Sequence, residues 1–193
     1  MSKRQLKQLS SIISLVLVLV VALGQHYGWF GVAAKVAETN DPGLYSINHY
    51  VDGDTIAVNV NGKTETVRFI GVDTPETHKP NTPVQCYGPA AAAYTKSEIS
   101  RAGGKVRLVA DPQSDDRDVY GRLVRYVYLP NGTLLDQALV QNGYGFAYTY
   151  YPFTKSADFT HAQEAARTSS KGLWGNCKPY QETNGRWQTP TAG

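Results

Sequence analysis

The chain of 193 residues is long enough for one globular domain with a real core and short for two. It is 41% hydrophobic with 18 glycines and 10 prolines, a composition that suits a turn-rich folded domain and excludes a disordered chain. The net charge of +3 is accounted for by Lys3, Arg4 and Lys7, so the remainder is balanced and carries no general polybasic footprint.

Those three basic residues precede an uncharged run over residues 12–24, rich in Leu and Val, which is the order of a secretory signal. Ala22-Leu23-Gly24 offers small residues at the spacing of a cleavage site. Residues 27–34 are also uncharged, so the apolar stretch passes the ~20 residues that cross a bilayer, and an uncleaved membrane anchor is the alternative. Residues 1–32 are therefore read as a signal peptide or a hydrophobic anchor helix, and 33–43 as a linker. Either reading places the body outside the cytoplasm, secreted or tethered to the membrane.

Within the body, strands come first. Residues 45–51 and 55–60 are rich in β-forming side chains, Asn61-Gly62 is a two-residue hairpin turn, and 64–72 returns as a third strand, which predicts an antiparallel meander. Pro89 opens a helix through residue 100 that Gly103-Gly104 stops. A fourth strand over 105–110 leads through an acidic loop, 111–118, to a fifth over 122–129. A short helix over 134–141, an extended aromatic segment over 144–151 and a final helix over 156–171 complete the domain. The fold class is mainly β with α, a five-stranded Greek-key barrel of the OB type with about three helices over residues 44–177. Residues 178–193 are polar and are expected to form a flexible tail.

Cys86 precedes the first of these helices and Cys177 follows the last. In an exported protein the pair is expected to form a disulfide, two unrelated thiols being the alternative.

Chemistry concentrates in two blocks, Val51-Asp52-Gly53-Asp54-Thr55 and Val67 through Thr77. Asp54 follows a glycine that can bend the backbone, and Asp73 ends a strand before Thr74-Pro75; brought together, these carboxylates are hard oxygen ligands suited to Ca²⁺, with the Thr74 carbonyl and water completing the cage. Either aspartate alone is more often a turn residue, the role assigned to Asp52. Glu76, three positions after Asp73, is placed to orient or deprotonate a water, whereas a surface carboxylate is the plainer alternative. Arg68 and Arg122 are suited to a phosphoryl group because a planar guanidinium holds two oxygens at once. Arg107, Arg117 and Arg125 are expected to be solvated charges. Tyr120 and Tyr148 are candidates to stack on a base, although tyrosines on a sheet are more often packing residues.

Val51-Asp-Gly-Asp-Thr55, Arg68 with Val72-Asp-Thr-Pro-Glu-Thr77, Tyr87-Gly88-Pro89, Asp118-Val-Tyr-Gly-Arg122, Ala147-Tyr-Thr-Tyr150 and Gly172-Leu-Trp174 occur in an order that resembles the staphylococcal nuclease (thermonuclease) family across residues 45–177. The resemblance implies an OB barrel, Ca²⁺, and cleavage of DNA and RNA at the 5′ side of the phosphodiester to leave 3′-phosphate ends. It also implies Asp54, Asp73 and the Thr74 carbonyl as calcium ligands, Arg68, Glu76 and Arg122 as the catalytic trio, and Tyr120 and Tyr148 as nucleotide contacts. The sequence departs from staphylococcal nuclease where that protein carries lysines, having Val119 in one place and Pro80-Asn81-Thr82-Pro83 in the other, with Lys79 nearby. Those departures bear on affinity for a terminal phosphate. A catalytically weak nucleic-acid-binding module of the same fold is the competing reading, and the expected assembly is a monomer.

Overall fold

The structure, a computed structural model, describes residues 43–78 and 82–192. The expected signal or anchor over 1–32, the linker up to 42, and the Lys79, Pro80 and Asn81 positions lie outside the described residues.

Five strands, β1 (Leu44–Tyr50), β2 (Thr55–Val60), β3 (Lys63–Phe69), β5 (Lys105–Val109) and β6 (Leu123–Tyr128), close into a barrel in the order β1-β2-β3-β6-β5. The predicted meander is present. Asn61 and Gly62 take φ of 50° and 80°, the positive values that a tight hairpin requires, and set the register from Val60↔Lys63 to Thr55↔Arg68. The barrel is mixed because β3 pairs parallel to β6, with Arg68 opposite Val124. Ile56, Val58, Val67, Phe69 and Val106, none more than 2% exposed, contribute to the core that this closure buries.

Helix α1 (Gly88–Arg101) starts one residue before Pro89 and ends at the paired glycines; Ala91, Thr95 and Ile99 recur at four-residue spacing on its buried face. Helices α2 (Leu135–Gln141) and α3 (Ser156–Thr168) follow the sequence pattern, and a single turn, α4 (Leu173–Asn176), is added.

Two stretches differ from expectation. The third strand does not run through Val72: Ile70 and Gly71 turn the chain out of the barrel, and Val72–Asp73 (β4) pairs instead with Phe146–Ala147 (β7). Gly71 has φ +73°, and a Cβ there would lie 2.6 Å from the Phe153 ring, so both the backbone and the packing require glycine. The 144–151 segment accordingly contributes only the two residues of β7 to a sheet. The stretch beyond Lys178, expected as a flexible tail, forms a hairpin of β8 (Tyr180–Gln181) and β9 (Trp187–Gln188). Its polar composition conceals one anchor, the Trp187 ring, which packs on Trp174 at 5.0 Å and on Phe146 at 6.3 Å.

The Cys86–Cys177 disulfide is formed, closing 91 residues of sequence separation and tethering the base of this hairpin to the start of α1. Asp111 makes a second long-range tie. Buried at 4% exposure, it accepts hydrogen bonds from the Tyr126 hydroxyl at 2.8 Å, Gln113 N at 2.8 Å and Thr154 N at 2.9 Å, and from the Thr154 hydroxyl. Burial alone would raise its pKa, but these donors together outweigh it and hold the carboxyl below the ordinary 3.8.

Replacing both cysteines by serine is expected to cost on the order of 4 to 5 kcal/mol in the chain-entropy model, read in urea unfolding as a lower midpoint with a steeper slope, because the freed unfolded chain exposes more surface. For Asp111→Asn the sign follows from its depressed pKa: the carboxylate stabilises the native state only while ionised, so the variant is less stable at neutral pH. That difference shrinks as pH falls from the unfolded value of 3.8 through the lower native one, as urea unfolding at a series of pH values would show.

Candidate active site

The turn between β1 and β2 is bolted down before it carries any chemistry. Val51 N and Asp52 N both donate to Thr55 O, Asp54 N donates to Asp52 Oδ1 at 3.2 Å, and the Thr95 hydroxyl of α1 donates to Gly53 O at 2.6 Å. Gly53 is pressed so closely that a Cβ would meet Thr74 Oγ1 at 2.8 Å and Ala91 Cβ at 2.9 Å. Asp54 is thereby held at 5% exposure, its Oδ1 accepting from the Thr55 hydroxyl at 3.0 Å and its Oδ2 from Thr74 N at 2.8 Å and the Thr74 hydroxyl at 3.1 Å.

Arg68 stands opposite Thr55 on β3, with 15% of its side chain exposed. Its Nη1 donates to Val72 O at 2.7 Å and Phe69 O at 3.1 Å and lies 3.3 Å from Asp54 Oδ2; its Nη2 donates to Asp73 Oδ1 at 3.0 Å. The turn at Gly71 that ends β3 is what brings the Val72 carbonyl and Asp73 back toward this guanidinium. Burial opposes its charge, but Asp54 and Asp73, with Asp52 beyond them, more than compensate and keep it cationic. Asp52 makes the turn contact expected of it. Its carboxyl is also pushed up to about 7, first by burial and next by the neighbouring Asp54 carboxylate.

Glu76 is fixed through its backbone: its N–H donates to Gln85 Oε1 at 2.7 Å, its carbonyl accepts from Gln85 N at 2.9 Å, and Gly88 comes so close that a Cβ would sit 2.8 Å from Glu76 O. Arg122 lies at the entry to β6, where Asp118 organises the loop. Asp118 Oδ1 accepts from Tyr120 N and Arg122 N, each at 3.0 Å, and Oδ2 takes Arg122 Nε at 2.6 Å. The Arg122 guanidinium rests 5.4 Å over the Tyr120 ring, which is 81% exposed beside Val119 at 91%. Tyr148 follows β7, its N–H donating to Gly71 O at 2.8 Å and its ring tilted against Tyr150 and Tyr151.

The structure thus gathers Asp54, Arg68, Asp73 and Thr74 into one hydrogen-bonded cluster, while the ion pair of Arg122 is with Asp118 on the neighbouring loop. Arg125, expected as a solvated charge, has only 16% of its side chain exposed and pairs with Asp116. Two residues escape a reading of the sequence. Gln85 clamps Glu76, and Arg186 of the hairpin donates from Nη2 to Asp73 Oδ2 at 2.8 Å. Asn184-Gly185 is a turn signal that could have announced the hairpin, but a contact 113 residues away leaves no local trace.

The donor set fits calcium. Asp54 and Asp73 supply hard carboxylate oxygens beside Thr74, the donor type that a divalent cation such as Ca²⁺ takes. Among the described residues no three Asp, Glu, His or Cys side chains are grouped to hold a metal, so further ligands would come from carbonyls and water.

The model of the family described as "Staphylococcal nuclease homologue" matches residues 66–176. A thermonuclease of Staphylococcus hyicus is 37% identical over 166 residues, covering 86% of this chain and 94% of its own length. A thermonuclease of Staphylococcus intermedius is 35% identical over 166 residues, with 86% and 96% covered. Endonuclease YncB of Bacillus subtilis (strain 168) is 41% identical over 131 residues, which span 67% of this chain and 60% of that protein.

The contact at Gly53 has a direct consequence. Gly53→Ala forces its new methyl against Thr74 and Ala91, and is expected to destabilise the domain by about 1 to 3 kcal/mol, measured by thermal or urea unfolding.

Proposed function

The chain belongs to the staphylococcal nuclease family and is a phosphodiester-hydrolysing nuclease, and from that premise we propose an exported, calcium-dependent endonuclease acting on both DNA and RNA. In this reading it cleaves at the 5′ side of the phosphodiester and leaves 3′-phosphate ends. The observation that carries the proposal is the Asp54–Arg68–Asp73 cluster, in which two carboxylates 19 positions apart in sequence flank one nearly buried guanidinium. Export is supported by the Cys86–Cys177 disulfide, which suits an oxidising compartment, and by the basic-then-apolar amino end.

Asp54, Asp73 and the Thr74 carbonyl would hold the calcium ion, which when bound supplies Lewis-acid stabilisation of the phosphoryl oxygens. Glu76, its backbone clamped by Gln85, orients a water on the face opposite the leaving oxygen and takes its proton as the water attacks phosphorus. Arg68, aimed by its two carboxylates, and Arg122, aimed by Asp118, donate to the phosphoryl oxygens. Charge on those oxygens grows in the transition state, so these fixed donors lower the barrier more than they stabilise bound substrate. Tyr120, exposed beside Arg122, and Tyr148 provide rings for the nucleotide.

The test is hydrolysis of single-stranded DNA by the full chain with Ca²⁺ and with chelator, followed by end-group analysis of the products. Activity is expected to require calcium, to leave 3′-phosphates, and to fall on the order of 10² to 10⁴-fold in Glu76→Gln and by a comparable factor in Arg122→Ala. Undiminished turnover in a folded Glu76→Gln variant removes that residue from the mechanism, and full activity in chelator rejects the calcium requirement.

A further inference from the structure

The C-terminal hairpin lies beyond the span matched by the family model, yet it is built into the face that carries Asp73. It is held at many points. Gln85 Nε2 donates to Gln188 Oε1 at 2.7 Å, the Thr189 hydroxyl to Cys86 O at 2.9 Å, Cys86 N to Pro190 O at 2.8 Å and Ala192 N to Val84 O at 2.8 Å. Its turn is equally defined, with Gly185 at φ +86° and Arg186 N donating to Asn184 Oδ1 at 2.8 Å. This much fixation of an otherwise polar segment delivers one side chain, Arg186, to the candidate site.

Arg186 is held by one edge only. Nε and Nη2 donate to Asp73 Oδ2 at 3.3 Å and 2.8 Å, and the guanidinium lies 5.4 Å over the Tyr148 ring. Nη1 has no protein partner among the described residues, and 34% of the side chain is exposed. Asp73 shares Arg68 with Asp54, so one edge of Arg186 balances the second carboxylate of the pair, and its other edge is left over from that role. The groove beside it, about 170 Å³, is lined by Tyr148, Tyr150, Gln163, Gln181 and Trp187. That volume is small for a whole nucleotide and suits a phosphate with part of its sugar or base. A planar guanidinium seated on an aromatic ring, with one edge on a carboxylate and the other open, is pre-aimed for a phosphate oxygen.

We propose that Arg186 is a substrate-binding residue: the C-terminal hairpin adds a phosphate subsite beside Asp73, which takes the phosphodiester next to the one cleaved. The inference rests on the nuclease reading above and deepens it. Arg68 and Arg186 sit on the two oxygens of one carboxylate, so the strand is held at two neighbouring positions and its register over the site is set. The subsite rewards a flexible single strand, whose backbone can follow the groove between the aromatic rings.

The experiment measures binding of a fluorescein-labelled oligothymidylate to the full chain by anisotropy, in chelator so that the strand stays intact, across a salt series. Arg186→Ala is expected to weaken binding about tenfold and to reduce the slope of log K against log salt by about 0.7, the value of one phosphate contact on a single strand. Arg186→Lys should keep the slope. In turnover with Ca²⁺, Arg186→Ala should raise KM by more than it lowers kcat. A folded Arg186→Ala with an unchanged slope and KM overturns the proposal, as does a loss of thermal stability alone, which would make Arg186 merely a counter-ion of Asp73. Should the alanine variant lose the hairpin's near-ultraviolet dichroism, Arg186→Gln, which can still donate to Asp73, replaces it: a reduced slope supports the subsite and an unchanged slope overturns it. Unaltered protein that neither binds nor cleaves the strand sinks the nuclease reading along with this one; cleavage with an unaffected slope sinks this one alone.

Discussion

A guanidinium with 15% of its side chain exposed commits the chain around it. Removing such a charge from water costs several kcal/mol unless it is paired and hydrogen-bonded, and Arg68 finds that pairing at the Phe69 and Val72 carbonyls and at Asp54 and Asp73. Each acceptor depends on a separate structural decision. Asp54 needs the β1–β2 turn pressed against α1, and the Val72 carbonyl and Asp73 need β3 to stop at Phe69 and the chain to reverse through Gly71. The mouth of the barrel is therefore organised by one electrostatic requirement. A buried ion pair is weak evidence for stability, because well-packed apolar residues of similar volume often do as well or better. Charges concentrated there are better understood as a cost carried for chemistry, the kind of local inconsistency that a foldable sequence tolerates at its working site.

Which parts of this were legible in the sequence follows from the range of the forces involved. Asn61-Gly62 dictates its hairpin locally, as Pro89 and Gly103-Gly104 punctuate α1, and the alternation in residues 122–129 is enough to place β6. The break after Phe69 is hidden because Ile70 and Val72 continue a plausible strand; only the close approach of Phe153, more than 80 positions away, makes Gly71 necessary. The β4–β7 ladder of two residues is below what any periodicity can signal. The hairpin at 180–188 escapes for a different reason. Its average composition is polar, whereas its placement rests on Trp187 and on the disulfide at its base. In the candidate site, Asp54, Arg68, Asp73, Glu76 and Arg122 stand out as residue types at suggestive spacing, but their partners do not: Gln85 and Arg186 act through contacts that only the folded chain creates.

The way these arginines are held bears on how the protein meets a polyanion. With the chain's formal excess of +3 confined to Lys3, Arg4 and Lys7, the body has little long-range field with which to attract nucleic acid. Each guanidinium proposed for phosphate contact is moreover partnered by a carboxylate: Arg68 and Arg186 by Asp73, Arg122 by Asp118. Such pairing weakens the attraction felt at a distance, and salt screens what remains beyond about 8 to 10 Å. In exchange, the fork is oriented before any strand arrives, so on the proposed reading less rotamer entropy would be lost on binding and the donors would stand where charge develops during hydrolysis. On the proposed reading, the rings of Tyr120 and Tyr148 would add stacking that neither salt nor base identity alters greatly. If the arginines hold phosphates as proposed, such a surface would discriminate by whether a strand can bend into a groove of oriented donors, which would favour flexible single strands over a stiff duplex and require no reading of sequence.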